Sequence, residues 1–269
     1  MKVLSSRSNP MYRQWQADCK HAGRPGHGAW LEGVHLCQAW LQHRGQPQWG
    51  LFAQESADHA DIMAIAHQTE PARQVWMSQK LLDGLSTLVT APPVMFIGQI
   101  PDPVKLDDLL TTGVLLDSVQ DPGNVGTILR IVAAAGVSDV FTGPGTAACW
   151  SPKVLRAGQG AQFCLSMHES IDLAGLIALQ RSNPKRPPVM VTTLNAQAES
   201  LYETDLGREV IWVFGHEGRG VSPELVELAD HKVYIPHDTH AVESLNVTSA
   251  AAICLFEQRR QRLTKQAHQ

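Results

Sequence analysis

The chain has 269 residues, 43% of them hydrophobic and 18% charged, with a formal net charge of −4. This is the composition of an ordinary soluble globular protein of one large or two modest domains, and no apolar run approaches the ~18–20 residues needed to cross a bilayer. The polar start, Met1 to Pro10, lacks an export signal core, and the five scattered cysteines (Cys19, Cys37, Cys149, Cys164, Cys254) form no CxxC pair. Together these exclude a disulfide framework and a zinc site, and lead to the expectation of buried or semi-buried free thiols in a reducing cytoplasm, with no metal and no membrane partner.

In the first hundred residues, Asn9-Pro10 opens a helix running to about Lys20, with Pro10 suited to the first turn. A short strand at Ala29 to Leu31 leads into a helix from Gly33 to His43. Further strands are expected at Trp49 to Gln54 and Val94 to Gln99, with helices between them. Lys2, Arg7, Arg13, Lys20 and Arg24 face only Asp18 among the first 30 residues. An acidic protein can still hold RNA phosphates through such a local patch, although a solvated helix face reads the same way.

The stretch from Ile100 to Gly113 reads as a linker, broken by two prolines, with a helical turn possible at Leu106 to Leu110. Strands follow at Val114 to Val119 and Val137 to Thr142, with a helix from Asn124 to Ala135 between them. Ser151-Pro152 has the form of a helix cap and first helical residue. Val189 to Leu194 and Val210 to Phe214 are apolar runs suited to buried parallel strands. Ser222-Pro223 starts a short helix, Lys232 to Ile235 is the last strand, and Asn246 to Arg262 is a terminal helix with an apolar stripe.

Three segments of this second half carry small or polar residues where a strand should end, the place where ligands collect in α/β folds. The first is Asp121 to Arg130 (DPGNVGTILR), in which Arg130 lies less than two helical turns beyond Asn124 and can reach the same pocket mouth. Arg130 is equally readable as a surface or ion-pairing helix residue. The second is Val213 to Leu225 (VFGHEGRGVSPEL), where Gly215, Gly218 and Gly220 surround Glu217 and allow close backbone approach to a ligand. No GxGxxG or GKS/GKT occurs, so neither a dinucleotide nor ATP is indicated. The third is Ile235 to Glu257 (IPHDTHAVESLNVTSAAAICLFE), where Ser244 or Asn246 can cap the terminal helix.

In order and spacing these segments resemble the signature motifs of the SpoU-type RNA ribose 2′-O-methyltransferases of the SPOUT superfamily, from about Gly113 to Arg262. Ser244-Leu245-Asn246-Val247 is the most specific match, whereas His237 to His240 occupy a loop that the family often fills with small residues. The resemblance implies an α/β chain: a C-terminal trefoil-knotted SPOUT methyltransferase domain with a mostly parallel sheet (113–269), preceded by a linker (101–112) and a small α/β ribosomal-protein-like RNA-binding domain (1–100). Arg7-Ser8-Asn9-Pro10 and Leu31-Glu32-Gly33 resemble that smaller domain.

The cofactor implied is S-adenosylmethionine, held by Leu194, Gly215, Ile235, Leu245 and Asn246, in a homodimer whose site is completed at the subunit interface. Arg130 matches the family's proposed base, yet a guanidinium is a poor base and suits acting through a phosphate or stabilising an alkoxide. Asn124 and Glu217 are expected to orient, and Ser244 with Asn246 to shape the pocket. RNA contacts are expected from Arg7, Arg13, Lys20, Arg24, Lys153 and Arg156. The segment Ser151 to Ala157 resembles ribosomal-RNA members of the family more than minimal transfer-RNA ones. The alternatives are a non-catalytic RNA-binding or ribosome-assembly protein that retains the fold, and a methyltransferase of a base or small molecule.

Overall fold

A computed structural model describes residues 2–102, 112–181, 183–195 and 197–267. By contacts the chain forms two compact units, one of Met1–Asp102 with Ala148–Cys164, the other of Pro103–Ala147 with Leu165–Gln269. The expected linker at 101–112, with its helical turn at 106–110, lies outside the described residues except at its ends.

The first unit begins with β1 (Lys2–Leu4), α1 (Pro10–Asp18), β2 (Ala29–Glu32), α2 (Val34–Arg44), β3 (Trp49–Ala53), α3 (Ala60–Gln68), β4 (Gln74–Met77), α4 (Gln79–Asp83) and β5 (Val94–Gly98). Its sheet has the order β1-β4-β3-β5-β2; β1, β4 and β3 are parallel, and β5 is antiparallel to both β3 and β2. Strands β1 and β4 are absent from the sequence expectation because three or four residues are too few for alternation to register. Helix α1 starts where its cap dictates: the Met11 N–H donates to Asn9 Oδ1 at 2.9 Å, and Pro10, which has no N–H to lose, takes the first turn. Its Tyr12, fully buried, donates from its hydroxyl to the Leu81 carbonyl at 2.9 Å.

The second unit runs through β6 (Gly113–Asp117), α5 (Pro122–Ala135) and β7 (Asp139–Thr142) before the chain leaves for the segment containing α6 (Pro152–Gly158). It returns as β8 (Ser166–His168), α7 (Leu173–Gln180), β9 (Val189–Thr192), β10 (Glu199–Ser200), β11 (Ile211–Gly215), α8 (Pro223–Leu228), β12 (His231–Tyr234) and α9 (Val247–Ala267). The seven strands lie in the order β10-β12-β9-β11-β6-β7-β8, and every pairing is parallel. Such sheets are covered on both faces, which is why Val114 to Leu116 and Val213-Phe214 are apolar without alternation and fully buried. Helix α9 packs on α5, and the indole N–H of Trp212 donates to Gln258 Oε1 at 2.8 Å, tying α9 to the sheet.

Helix α5 begins at Pro122 rather than at the expected Asn124. Asp121 is its cap, accepting from the Asn124 N–H at 2.9 Å, and Pro122 sits in the first turn. Strand β8, helix α7 and strand β10 were also not expected from sequence. Helix α7 has the run Leu-Ala-Gly-Leu-Ile-Ala-Leu, apolar almost throughout, which leaves little helical period to read.

The excursion Ala148–Cys164 packs against β2 and α2 of the first unit. Glu32, whose side chain is 1% exposed, accepts from Ser86 Oγ at 2.8 Å and the Thr87 N–H at 2.7 Å, and forms a close ion pair with Arg156. Trp40 meets Phe163 edge to face at 5.2 Å between ring centroids. A Cβ on Gly23 would collide with the backbone of Trp150 and Ser151. Lys153 and Arg156, placed by sequence in the 113–269 domain, thus lie in the unit that carries Arg7, Arg13, Lys20 and Arg24. Cys164 departs from the expected burial: it is exposed, with Sγ 3.5 Å from His43 Nδ1.

Candidate cofactor site at the strand ends of the parallel sheet

Strands β12, β9 and β11 are neighbours and parallel, so their C-terminal ends open side by side. Those ends and the approach to α9 enclose a cavity of about 320 Å³, lined by residues 192–194, 215–221, 233–235, 237, 243–245, Val247 and Ala250. Small-molecule sites span about 300–1,000 Å³, so this one suits a compact or folded ligand. Of the expected cofactor contacts, Leu194, Gly215, Ile235 and Leu245 line it, as do Glu217 and Ser244, whereas Asn246 is not among its lining residues. Leu194 is 57% exposed because β9 stops at Thr192, short of the expected strand end, and leaves it on the rim. Ile235 is buried.

The glycine loop after β11 is built for its own closure. The His216 and Gly220 backbones bond to each other, 3.0 Å from the His216 N–H and 2.8 Å from the Gly220 N–H. Gly220 has φ +69°, a left-handed conformation that glycine adopts without strain. A Cβ on Gly215 would collide with the backbone of Gly220 and Val221. The space that the missing side chain of Gly215 leaves is thus occupied by the returning loop, while Gly215 itself lines the cavity. His216 completes the turn, its Nδ1 accepting from the N–H groups of Gly218 at 2.9 Å and Arg219 at 3.3 Å.

One hydrogen-bonded chain crosses all three segments. Asn246 Nδ2 donates to Asn124 Oδ1 at 3.4 Å, and Asn124 Nδ2 donates to Glu217 Oε1 at 2.9 Å. Glu217 also accepts from the N–H groups of Gln120 at 3.3 Å and Asp121 at 3.1 Å. Burial alone would raise the Glu217 carboxyl, but the bonds from Asn124, Asp121 and Gln120 outweigh it and hold it below the ordinary carboxylate range. Asn246 has a structural role as well, since its Oδ1 caps α9 by accepting from the Thr248 N–H at 2.8 Å. Ser244 is exposed on the cavity wall, so of the two candidate caps it is Asn246 that caps the helix.

Arg130 is exposed on α5, outside this chain of bonds, and its guanidinium makes no hydrogen bond or ion pair among the described residues. Arg7, Arg13, Lys20, Arg24 and Lys153 are exposed, while Arg156 is committed to Glu32. Asp121, His216 and His237 are site residues to which the sequence assigns no role. The Asp-Pro pair signalled the first, whereas the two histidines carry no local signature because their roles depend on backbone groups of a folded loop. No cluster of three His, Cys, Asp or Glu side chains suited to a metal occurs among the described residues, and no described helix is long and apolar enough to cross a membrane.

Comparison with known proteins gives a consistent picture. The model of the SpoU rRNA Methylase family matches residues 111–256. An uncharacterized tRNA/rRNA methyltransferase of Synechocystis is 30% identical over 269 aligned residues, covering 96% of this chain and 93% of its own. The 23S rRNA (guanosine(2553)-2′-O)-methyltransferase RlmP of Bacillus subtilis is 28% identical, covering 96% of this chain and all of its own (100%). Among solved structures, the AdoMet-bound rRNA methyltransferase from Sinorhizobium meliloti superposes with a TM-score of 0.78 at 25% identity, over 96% of this chain and 97% of that one.

Proposed function

The chain belongs to the SpoU rRNA methylase family, and from that premise we propose that it transfers a methyl group from S-adenosylmethionine to a ribose 2′-hydroxyl in structured RNA. The observation that carries the reading is the bonded chain Asn246–Asn124–Glu217, which joins the three segments beside one cavity. A fold retained for binding alone has no need of that arrangement. The cavity suits the cofactor through its size, its apolar Leu194, Ile235 and Leu245, and a buried polar atom that lacks a protein partner, His237 Nε2.

When bound, S-adenosylmethionine supplies a methyl group on a positively charged sulfur. The residues proposed to hold it are Leu194, Gly215, Ile235, Leu245 and Asn246, with Gly215 acting through its backbone. Asn124 and Glu217 orient the acceptor side, and Ser244 with Asn246 shapes the opening. Arg130, whose guanidinium has no partner among the described residues, stabilises negative charge on the acceptor oxygen, directly or through a neighbouring phosphate, since a guanidinium holds its protons too tightly to serve as a base. Holding both reactants in line supplies most of the rate.

Exposed Arg7, Arg13, Lys20, Arg24 and Lys153 supply phosphate contacts, and grouping of all five in one unit supports an RNA-binding role for it. Ribosomal RNA is the favoured substrate, on the strength of full-length relatives named as 23S rRNA methyltransferases. The proposal extends to a cytoplasmic homodimer and to a knotted C-terminus. Support for the knot is the sheet order, with β12 between β10 and β9 and the chain then passing the loops after β9 and β11 to reach α9. Titration calorimetry with S-adenosylmethionine, without metal or RNA, and mapping of 2′-O-methyl sites in cellular RNA with and without the gene test the reading. Saturable binding and the loss of a discrete methyl site are expected. A folded protein that binds no cofactor would favour the RNA-binding alternative.

A further inference from the structure

Among the described residues of the cavity wall, His237 has a buried ring nitrogen without a hydrogen-bond partner. Its Nδ1 lies 2.7 Å from the Ile235 carbonyl oxygen, which can only accept, so Nδ1 carries the proton and donates. In the neutral ring Nε2 is then an acceptor. That atom is buried and has no hydrogen-bond partner among the described residues, although His237 lines the cavity. Buried acceptors are rarely left unmatched, and one on a residue that lines a ligand site can be matched by the ligand. His216, also on the cavity wall, is the reverse case: its Nδ1 accepts from two backbone N–H groups, so its proton sits on Nε2.

We infer that His237 is a cofactor-recognition residue, its Nε2 accepting a hydrogen bond from a neutral N–H or O–H donor on the nucleoside half of S-adenosylmethionine. This deepens the functional reading above and rests on it. The nucleoside half is indicated because His237 is bonded to buried, apolar Ile235, whereas the ionised amino-acid group fits better with the exposed charges of Glu243 and Arg219, which also line the cavity. Neither composition nor helical or strand period marks this residue, because its role arises only when the 235–237 turn fixes which ring nitrogen holds the proton.

The test is titration calorimetry on wild type, His237→Ala and His237→Gln. The ligands are S-adenosylmethionine, 5′-methylthioadenosine (which lacks the amino-acid group), and forms of the latter lacking the 6-amino group, the 2′-hydroxyl or the 3′-hydroxyl. His237→Ala should weaken both parent ligands about tenfold, the worth of one hydrogen bond in a dry site. His237→Gln, which offers an amide oxygen, should recover part of that loss. One donor-deleted nucleoside should bind wild type more weakly than its parent and yet show no further loss with His237→Ala, a dependence that a merely structural role for the histidine would not produce. Equal binding of both parents by wild type and His237→Ala, or equal penalties for every deletion in both proteins, would overturn the inference while leaving the methyltransferase reading intact. Absence of S-adenosylmethionine binding by folded wild type would overturn that reading and this inference with it.

Discussion

Arg156 was expected from sequence to contact RNA, and the structure gives it another partner, so its replacement separates the two roles. The Glu32 side chain is 1% exposed and that of Arg156 is 29% exposed. Removing one partner of a fully buried pair costs about 3–5 kcal/mol, because the other charge is left stranded. Here Ser86 Oγ and the Thr87 N–H and Oγ1 remain on the Glu32 carboxylate, and the lost guanidinium was partly solvated. Arg156→Ala should therefore destabilise the first unit by about 2–3 kcal/mol, below the full buried-pair value. Glu32→Gln keeps an oxygen for the same donors and leaves only a part-solvated cation, so about 1–2 kcal/mol is expected. With Gln at position 32, Arg156→Ala should cost almost nothing more, giving a coupling of about 2–3 kcal/mol. Urea unfolding followed by tryptophan fluorescence is the assay. Six of the seven tryptophans (Trp15, Trp30, Trp40, Trp49, Trp76, Trp150) lie in that unit and only Trp212 in the other. A shift of about 1 M in the midpoint is expected at a typical slope of about 1–3 kcal/mol per molar urea. Unchanged stability of Arg156→Ala together with weaker RNA binding and a shallower salt slope would refute the structural role and restore the RNA contact.

Arg130→Ala should remove methyl transfer while leaving S-adenosylmethionine affinity and thermal stability near wild type; near-normal turnover on the true RNA would end its assignment to the reaction. Gly215→Ala should destabilise the loop at 216–220 and weaken cofactor binding only as a consequence, seen as faster amide exchange in that loop without ligand; unchanged exchange would contradict the backbone collision. Because the Glu217 carboxyl is held below its ordinary value, its contribution to site order is complete above the unfolded-state pKa and is lost as pH falls through the lowered folded one. Cofactor binding should therefore show no Glu217-dependent change between about pH 5 and 7, and a change in that window that Glu217→Gln abolishes would refute the network. Replacing Arg7, Arg13, Lys20 and Arg24 one at a time by Gln should each lower the log–log salt slope of RNA binding by about one unit without touching cofactor affinity; slopes that stay put would show that the patch meets no phosphate.

Much of this molecule is legible one residue at a time. Asn9-Pro10 begins α1 because an Asn side chain and a proline suit a helix start wherever they occur. The runs at Val189 and Val210 form buried parallel strands because apolar residues without alternation must be covered on both faces. The three polar segments at strand ends point to one ligand site for a reason equally local, the free backbone groups that strand ends and helix starts expose. What folding alone decides is who meets whom. Nothing near Arg156 in sequence announces Glu32, so a charge that reads as an RNA contact is an ion-pair partner in the first unit. Nothing near Gly215 announces that the chain returns against it at Gly220, so the space its missing side chain leaves is taken by the loop itself. Asn246 reads as a cap and is one, but its second bond, to Asn124, exists only because α9, the helix it caps, packs on α5. The tautomer of His237 is set by a carbonyl two residues back, through a turn that only the folded chain holds. Local propensity and period are properties of short stretches, whereas ion pairs, close approaches and proton positions depend on distances between residues far apart in the chain, and the packed structure sets those.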